Sequence, residues 1–149
     1  MTFKSTKTFG HELGLSCAFR QWRATHSHCS KVHGYALSIK LVFEASTLDE
    51  RNWVMDFGGL KDIKQALVET FDHKLVVAAD DPHLELFKIM HKQQVADVVI
   101  LPRVGCEAFA QFVGDAIVNP FLAKTQGDRV KLVSVEVREH GANSAIYEL

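Results

Sequence analysis

From Tyr35 to Phe43 the side chains alternate with a period of two. Tyr35, Leu37, Ile39, Leu41 and Phe43 share one parity, and Ser38, Lys40 and Glu44 take the other. Successive side chains of a strand point to opposite faces, so this is a strand with one apolar face, and His33 falls on that face. A half-buried strand of this length needs neighbours and a layer over its apolar side, and other segments can supply both. Phe9, Leu13, Leu15, Cys17 and Phe19 alternate within residues 3–19, with an interruption expected near Gly10 or Gly14. Val133, Val135, Val137 and Glu139 share a strand face near the C-terminus, His140–Asn143 turns, and Ser144–Glu148 returns as a hairpin. Helical spacing places Leu60, Ile63, Leu67 and Phe71 on one stripe after Gly58 and Gly59. Phe109, Phe112, Val113, Ala116 and Ile117 form another, from Glu107 to about Leu122.

The expectation is an α+β fold: a four-stranded antiparallel sheet with two helices packed on one face, in one domain over 1–149. Two open sheet edges would then be blunted, or joined edge to edge with other subunits. Val54–Phe57 reads as a short extended piece. The stretch from Asp72 to about Val104 is poorly patterned, with Pro82, Pro102, a short helix over 84–91 and a β-like run at 98–101. It is longer than a plain loop should be.

Composition excludes several classes. At 149 residues, 47% hydrophobic and 23% charged, the chain can bury a core of its own. A formal net charge of −1 offers no field for nucleic acid, and no apolar run is long enough to span a bilayer. The first twenty residues mix Lys4, Lys7, His11 and Glu12 with apolar residues, unlike a signal peptide, so a cytoplasmic location is expected. Three widely spaced cysteines (Cys17, Cys29, Cys106) make no disulfide framework.

Chemistry shows where polar residues interrupt these patterns. Glu139 continues a valine row, so it is either a strand-end carboxylate reaching solvent or an anchor for a ligand with paired N–H donors, such as a pterin ring. His33 is either a satisfied core histidine or, with Cys29, His26 and His28 just upstream, part of a metal site. Asp72-His73 follows a helix end. It is either a dipole-stabilised C-terminus or an Asp-oriented histidine for proton transfer, with Cys29 as a second acid/base.

Together these elements resemble the 6-pyruvoyltetrahydropterin synthase / 6-carboxytetrahydropterin synthase family over nearly the whole chain. Cys29-Ser-Lys-Val-His33-Gly34-Tyr35 is similar to the family's Cys-x-x-x-His-Gly-His element, and Trp53-Val-Met-Asp56-Phe57-Gly-Gly-Leu60-Lys61 to its W-(I/V)-x-D-F-x-x-L-K stretch. Phe71-Asp72-His73, Gly105-Cys106-Glu107 and Val137-Arg-Glu139 match three further elements in order.

The resemblance implies a T-fold assembled as a homo-oligomer, a hexamer or tetramer, with active sites at subunit interfaces. It implies a lyase acting on 7,8-dihydroneopterin triphosphate with loss of triphosphate, the carboxy-forming reaction of the queuosine pathway being favoured. Cys29 would be the proton-abstracting thiolate, Asp72 and His73 a proton relay, Glu139 the ring anchor and Glu107 its assistant, with zinc on the substrate's side-chain hydroxyls. Of the family's three zinc histidines only His33 is present, because Phe19 and Tyr35 occupy the other two positions. The metal would need a rebuilt set, His33 with His28 and His26, or the site would be metal-free. The alternative is a diverged T-fold enzyme or pterin-binding protein with another substrate and an altered or absent metal site.

Overall fold

The computed structural model describes residues 1–149. Its centre is β3 (His33–Ala45), in which Leu37, Ile39, Leu41, Phe43 and Ala45 are all buried, as the alternation predicts. β1 (Phe3–Phe9) and β2 (Leu15–Phe19) lie in tandem along one edge of β3. Phe3 stands opposite Ala45 and Phe9 opposite Ile39; then Leu15 stands opposite Leu37 and Phe19 opposite His33. Between them the chain loops out as a 3-10 turn (His11–Leu13) closed by Gly14 in the left-handed region.

β6 (Lys131–His140) occupies the other edge of β3, and β7 (Asn143–Glu148) lies outside it. One detail differs from the expected valine row. Val42 faces Ser134 but Phe43 faces Leu132, so Val133 is the extra residue of a bulge and Leu132 takes the core side in its place. Val135 and Val137 are fully buried as expected.

The sheet has seven strands, not four, and it is mixed rather than antiparallel. The split of the first strand accounts for one addition. The others are β4 (Lys74–Ala78), parallel to β2, and β5 (Val98–Leu101), parallel to β4. Leu75, Val76, Val77 and Ala78 are all buried, because β4 is covered on both faces. A strand buried on both sides reads as a continuous apolar run with no period of two, which is why the sequence pattern hides it.

α1 (Lys61–Phe71) and α3 cover one face. α3 begins as Cys106–Phe112, widens to a π-helix over Val113–Val118 and resumes over Asn119–Thr125. Pro120 lacks the N–H that an ordinary helix interior needs, and the wider turns just before it absorb that loss. A third helix, α2 (Leu84–Lys92), packs on the opposite face, where Phe87 meets Leu75 and Val77. The main core joins 29 buried residues between the sheet and the α1–α3 layer, including Phe43, Phe71 and Phe109. No helix is long and apolar enough to cross a membrane.

The Val54–Phe57 piece is not a strand. Asp49 accepts hydrogen bonds from the Arg51 and Trp53 amides, Asp56 caps the 3-10 turn Phe57–Leu60 through the Gly58 amide, and Val54 and Met55 enter the core. In the tryptophan–aspartate motif Val54 and Met55 pack into the core, while Trp53 is 48% exposed.

Candidate active site

β2 ends at Phe19, and the next residues fold a polar loop over the end of the sheet. Arg20 clamps it. Its Nε and Nη2 reach the Asp81 carboxylate at 2.9 and 2.7 Å, and its Nη1 donates to the Ser30 carbonyl at 3.1 Å. Asp81 is buried, and the hydrogen bonds from Arg20 hold its carboxyl below the usual range against the opposing effect of burial. Further along, the Gln21 amide donates to the Cys29 carbonyl at 2.7 Å, which draws the two ends of the loop together. Ser27 accepts from the Cys29 amide and caps the turn His28–Ser30.

This closure forms a pocket of about 200 Å³ between β2, β3, β6 and the start of α3. Cys29, His33, Tyr35, Glu107 and Glu139 all line it. Glu139 reaches it through a second bulge: Arg138 pairs with Ser144 and His140 with Asn143, leaving Glu139 unpaired in the ladder. Glu107 enters from the first turn of α3, where a carboxylate is favoured by the helix dipole. Gly105 makes that approach possible. Its φ is +110°, and a Cβ there would meet the Gln21 side-chain nitrogen at 2.5 Å. That nitrogen donates to the Val104 carbonyl at 2.6 Å, binding the loop to the helix start.

Two of the three thiols are buried. Burial pushes Cys17 up to about 12, with Cys106 adding to the rise. Cys106 is pushed up to about 11 by burial first, then by the Glu139 and Glu107 carboxylates. Both stay protonated at neutral pH, whereas Cys29 is exposed.

The remaining predicted residues lie elsewhere. Asp72 and His73 do not line this pocket. Asp72 Oδ1 accepts from His73 Nδ1 at 2.8 Å and from the Ser16 amide at 3.3 Å, and the His73 side chain is 83% exposed. His73 adopts φ +58° at the end of α1, a conformation usually left to glycine. His26 and His28 are exposed on the loop and do not line the pocket either. No group of three or more His, Cys, Asp or Glu side chains is set to hold a metal ion, so the structure does not assemble the His33, His28, His26 set. The loop's own turns leave the two outer imidazoles in solvent while His33 is held on the strand.

The sequence model of 6-pyruvoyl tetrahydropterin synthase matches residues 10–149. The chain belongs to the 6-pyruvoyl tetrahydropterin synthase family. It is 26% identical to a 6-carboxy-5,6,7,8-tetrahydropterin synthase of Aquifex aeolicus, covering 99% of each chain. In fold it matches a Wolinella succinogenes protein with a TM-score of 0.78 at 18% identity, covering 99% of this chain and 98% of the other. It also matches a 6-pyruvoyltetrahydropterin synthase of Plasmodium vivax with a TM-score of 0.70 at 15% identity, covering 99% and 97%. At those identities the structural likeness is one of fold.

Periodicity alone hides the role of Tyr35, which the resemblance places at a former ligand position. It reads as one more apolar position on the core face, yet its hydroxyl lies 3.0 Å from His33 Nε2. Its parity with His33 was the available signal. Arg20 and Asp81 carry no such signal, being 61 residues apart.

Proposed function

We propose that the chain is a pterin synthase-type lyase that acts on 7,8-dihydroneopterin triphosphate with loss of triphosphate. The observation that carries this reading is the convergence of one exposed thiol, Cys29, with Glu139 and Glu107 in a single pocket. Glu139 would accept the paired N–H donors of the pterin ring, and Asn143, 3.3 Å from its Oε1, helps to orient it. The adjoining hollow of about 350 Å³ shares Gln21 and Glu107 and carries Arg23, paired with Asp80 at 2.9 Å, and Arg103, bonded to Gln111 at 3.0 Å; in this reading a polyphosphate would compete for these guanidiniums.

In the elimination step a base takes the proton from the carbon next to the triphosphate-bearing carbon. The released pair forms a carbon–carbon double bond, and triphosphate departs with the electrons of its carbon–oxygen bond. Cys29 as thiolate is the base within reach of the pocket. Asp72 and His73 face outward, so in this reading they serve the pocket of a neighbouring copy in a homo-oligomer. Of the two products, the carboxy form is favoured by the likeness to the Aquifex aeolicus protein.

The test is turnover of 7,8-dihydroneopterin triphosphate by the purified oligomer, with products identified by mass. A carboxy- or pyruvoyl-tetrahydropterin supports the reading, and its loss in Cys29→Ala with pterin binding retained assigns the thiol. Absence of any product from folded protein, with and without zinc, moves the weight to the alternative of a pterin-binding or diverged T-fold protein.

A further inference from the structure

Zinc, which the family resemblance implies for this pocket, does not fit the residues present. Phe19 and His33 stand directly opposite each other across β2 and β3, and Tyr35 is two residues further along the same face. The Phe19 ring lies 6.1 Å from that of His33 and 6.0 Å from that of Tyr35, and the His33 and Tyr35 rings are 5.2 Å apart. Phe19 offers no donor atom. It is buried and packs edge-on against Phe109 at 5.0 Å, so it belongs to the core.

The hydrogen bonds of His33 settle what its nitrogens do. Nδ1 lies 2.7 Å from the Lys31 carbonyl, which can only accept, so Nδ1 carries the proton. In the neutral ring Nε2 is then a bare acceptor, and the Tyr35 hydroxyl 3.0 Å away donates to it. The lone pair a metal would need is therefore engaged by a phenol. The Lys31 bond would orient His33 equally well toward a metal; the occupant of Nε2 makes the difference. While it donates to His33, the Tyr35 oxygen can still accept a hydrogen bond, and Cys29 and Glu139 line the same pocket.

We infer that this pocket binds its ligand without a resident metal ion, and that the Tyr35 oxygen, oriented by His33, accepts a hydrogen bond from a ligand side-chain hydroxyl. The inference rests on the pterin reading above for its ligand class, a pterin with a hydroxylated side chain. Tyr35 is a binding residue in this scheme, and His33 is a positioning residue.

Two independent measurements test this. The first is metal content by mass spectrometry after incubation with zinc and desalting. The wild type should retain well under about one zinc per chain. The double variant Phe19→His/Tyr35→His places three imidazoles around one point and should retain about one. A wild type that holds one zinc per chain, lost in His33→Ala, would overturn the metal-free assignment.

The second measurement is fluorescence titration with two probes, 7,8-dihydroneopterin and unsubstituted pterin. Tyr35→Phe should weaken 7,8-dihydroneopterin about tenfold and leave unsubstituted pterin unchanged, whereas Glu139→Gln should weaken both. Equal binding of both probes by Tyr35→Phe and wild type would remove Tyr35 from the site. If the wild type binds neither probe, the pterin reading fails, while the zinc measurement still decides the metal question. In ¹⁵N-labelled protein the His33 ring should show the Nδ1–H tautomer; the Nε2–H tautomer would reverse the donor order and overturn the positioning role.

Discussion

Two histidines beside β2 have opposite surroundings. His33 sits on the core face at the pocket, with Nδ1 bonded to a carbonyl, Nε2 bonded to Tyr35, and the Phe19 ring alongside. His73 stands at the end of α1 with one ring nitrogen on Asp72 and its side chain 83% exposed. The first is closed, with both nitrogens occupied inside the chain. The second is open, with a free nitrogen and a carboxylate behind it, an arrangement that suits proton exchange with something outside its own subunit. The contrast teaches that a histidine's function is set by which of its nitrogens the fold leaves available.

The largest expected effect tests whether the open pair serves another copy. Cys29→Ala and His73→Ala should each lower kcat by about 10² to 10⁴. If Cys29 of one copy works with His73 of its neighbour, oligomers reassembled from equal amounts of the two variants should regain roughly a quarter of wild-type activity. No recovery after verified subunit exchange would break the comparison by placing both groups in one subunit's site, and a fully active His73→Ala would place His73 outside catalysis.

Next comes the clamp on the closed side. Arg20→Ala strands a buried Asp81 carboxylate and should cost about 3 to 5 kcal/mol in urea unfolding, loosening the Cys29 loop while the His73 corner keeps its structure. The pH dependence follows from the depressed pKa of Asp81. Its contribution is fully present above the unfolded value of about 3.9 and is lost as pH falls through the lower folded value. Acid unfolding of the wild type should therefore steepen below about pH 4, and this part of the slope should be missing in Arg20→Ala.

A smaller loss is expected at Gly105. Gly105→Ala forces a side chain into a strained φ and against Gln21, at about 1 to 3 kcal/mol. It should also weaken pterin binding by displacing Glu107. The matching change on the open side, His73→Gly, should leave stability within about 0.5 kcal/mol, because glycine accepts φ +58° readily. A large destabilisation there would make His73 a structural residue. The smallest effect is a count of thiols. Iodoacetamide should label Cys29 alone in the native protein and all three cysteines after unfolding, since Cys17 and Cys106 are buried with raised pKa values. Native labelling of Cys106 would weaken the choice of Cys29 as base.

Much of this molecule was legible from periodicity. The alternation of β3, the break near Gly10 and Gly14, the C-terminal hairpin and the helical stripes of α1 and α3 all depend on which side of an element meets one core. So did the α+β class. These are local consequences of burying one face, and local spacing records them. The structure alone decided β4 and its parallel pairing, because burial on both faces erases the pattern. It also decided the partner of Arg20, the bulges that turn Val133 out and free Glu139 from the ladder, and the separation of Asp72–His73 from Cys29. The partners of His33 were beyond the sequence for the same reason. They are a 3.0 Å contact to Tyr35 and a 2.7 Å contact to the Lys31 carbonyl, and such distances are fixed by how strands and loops pack rather than by spacing along the chain.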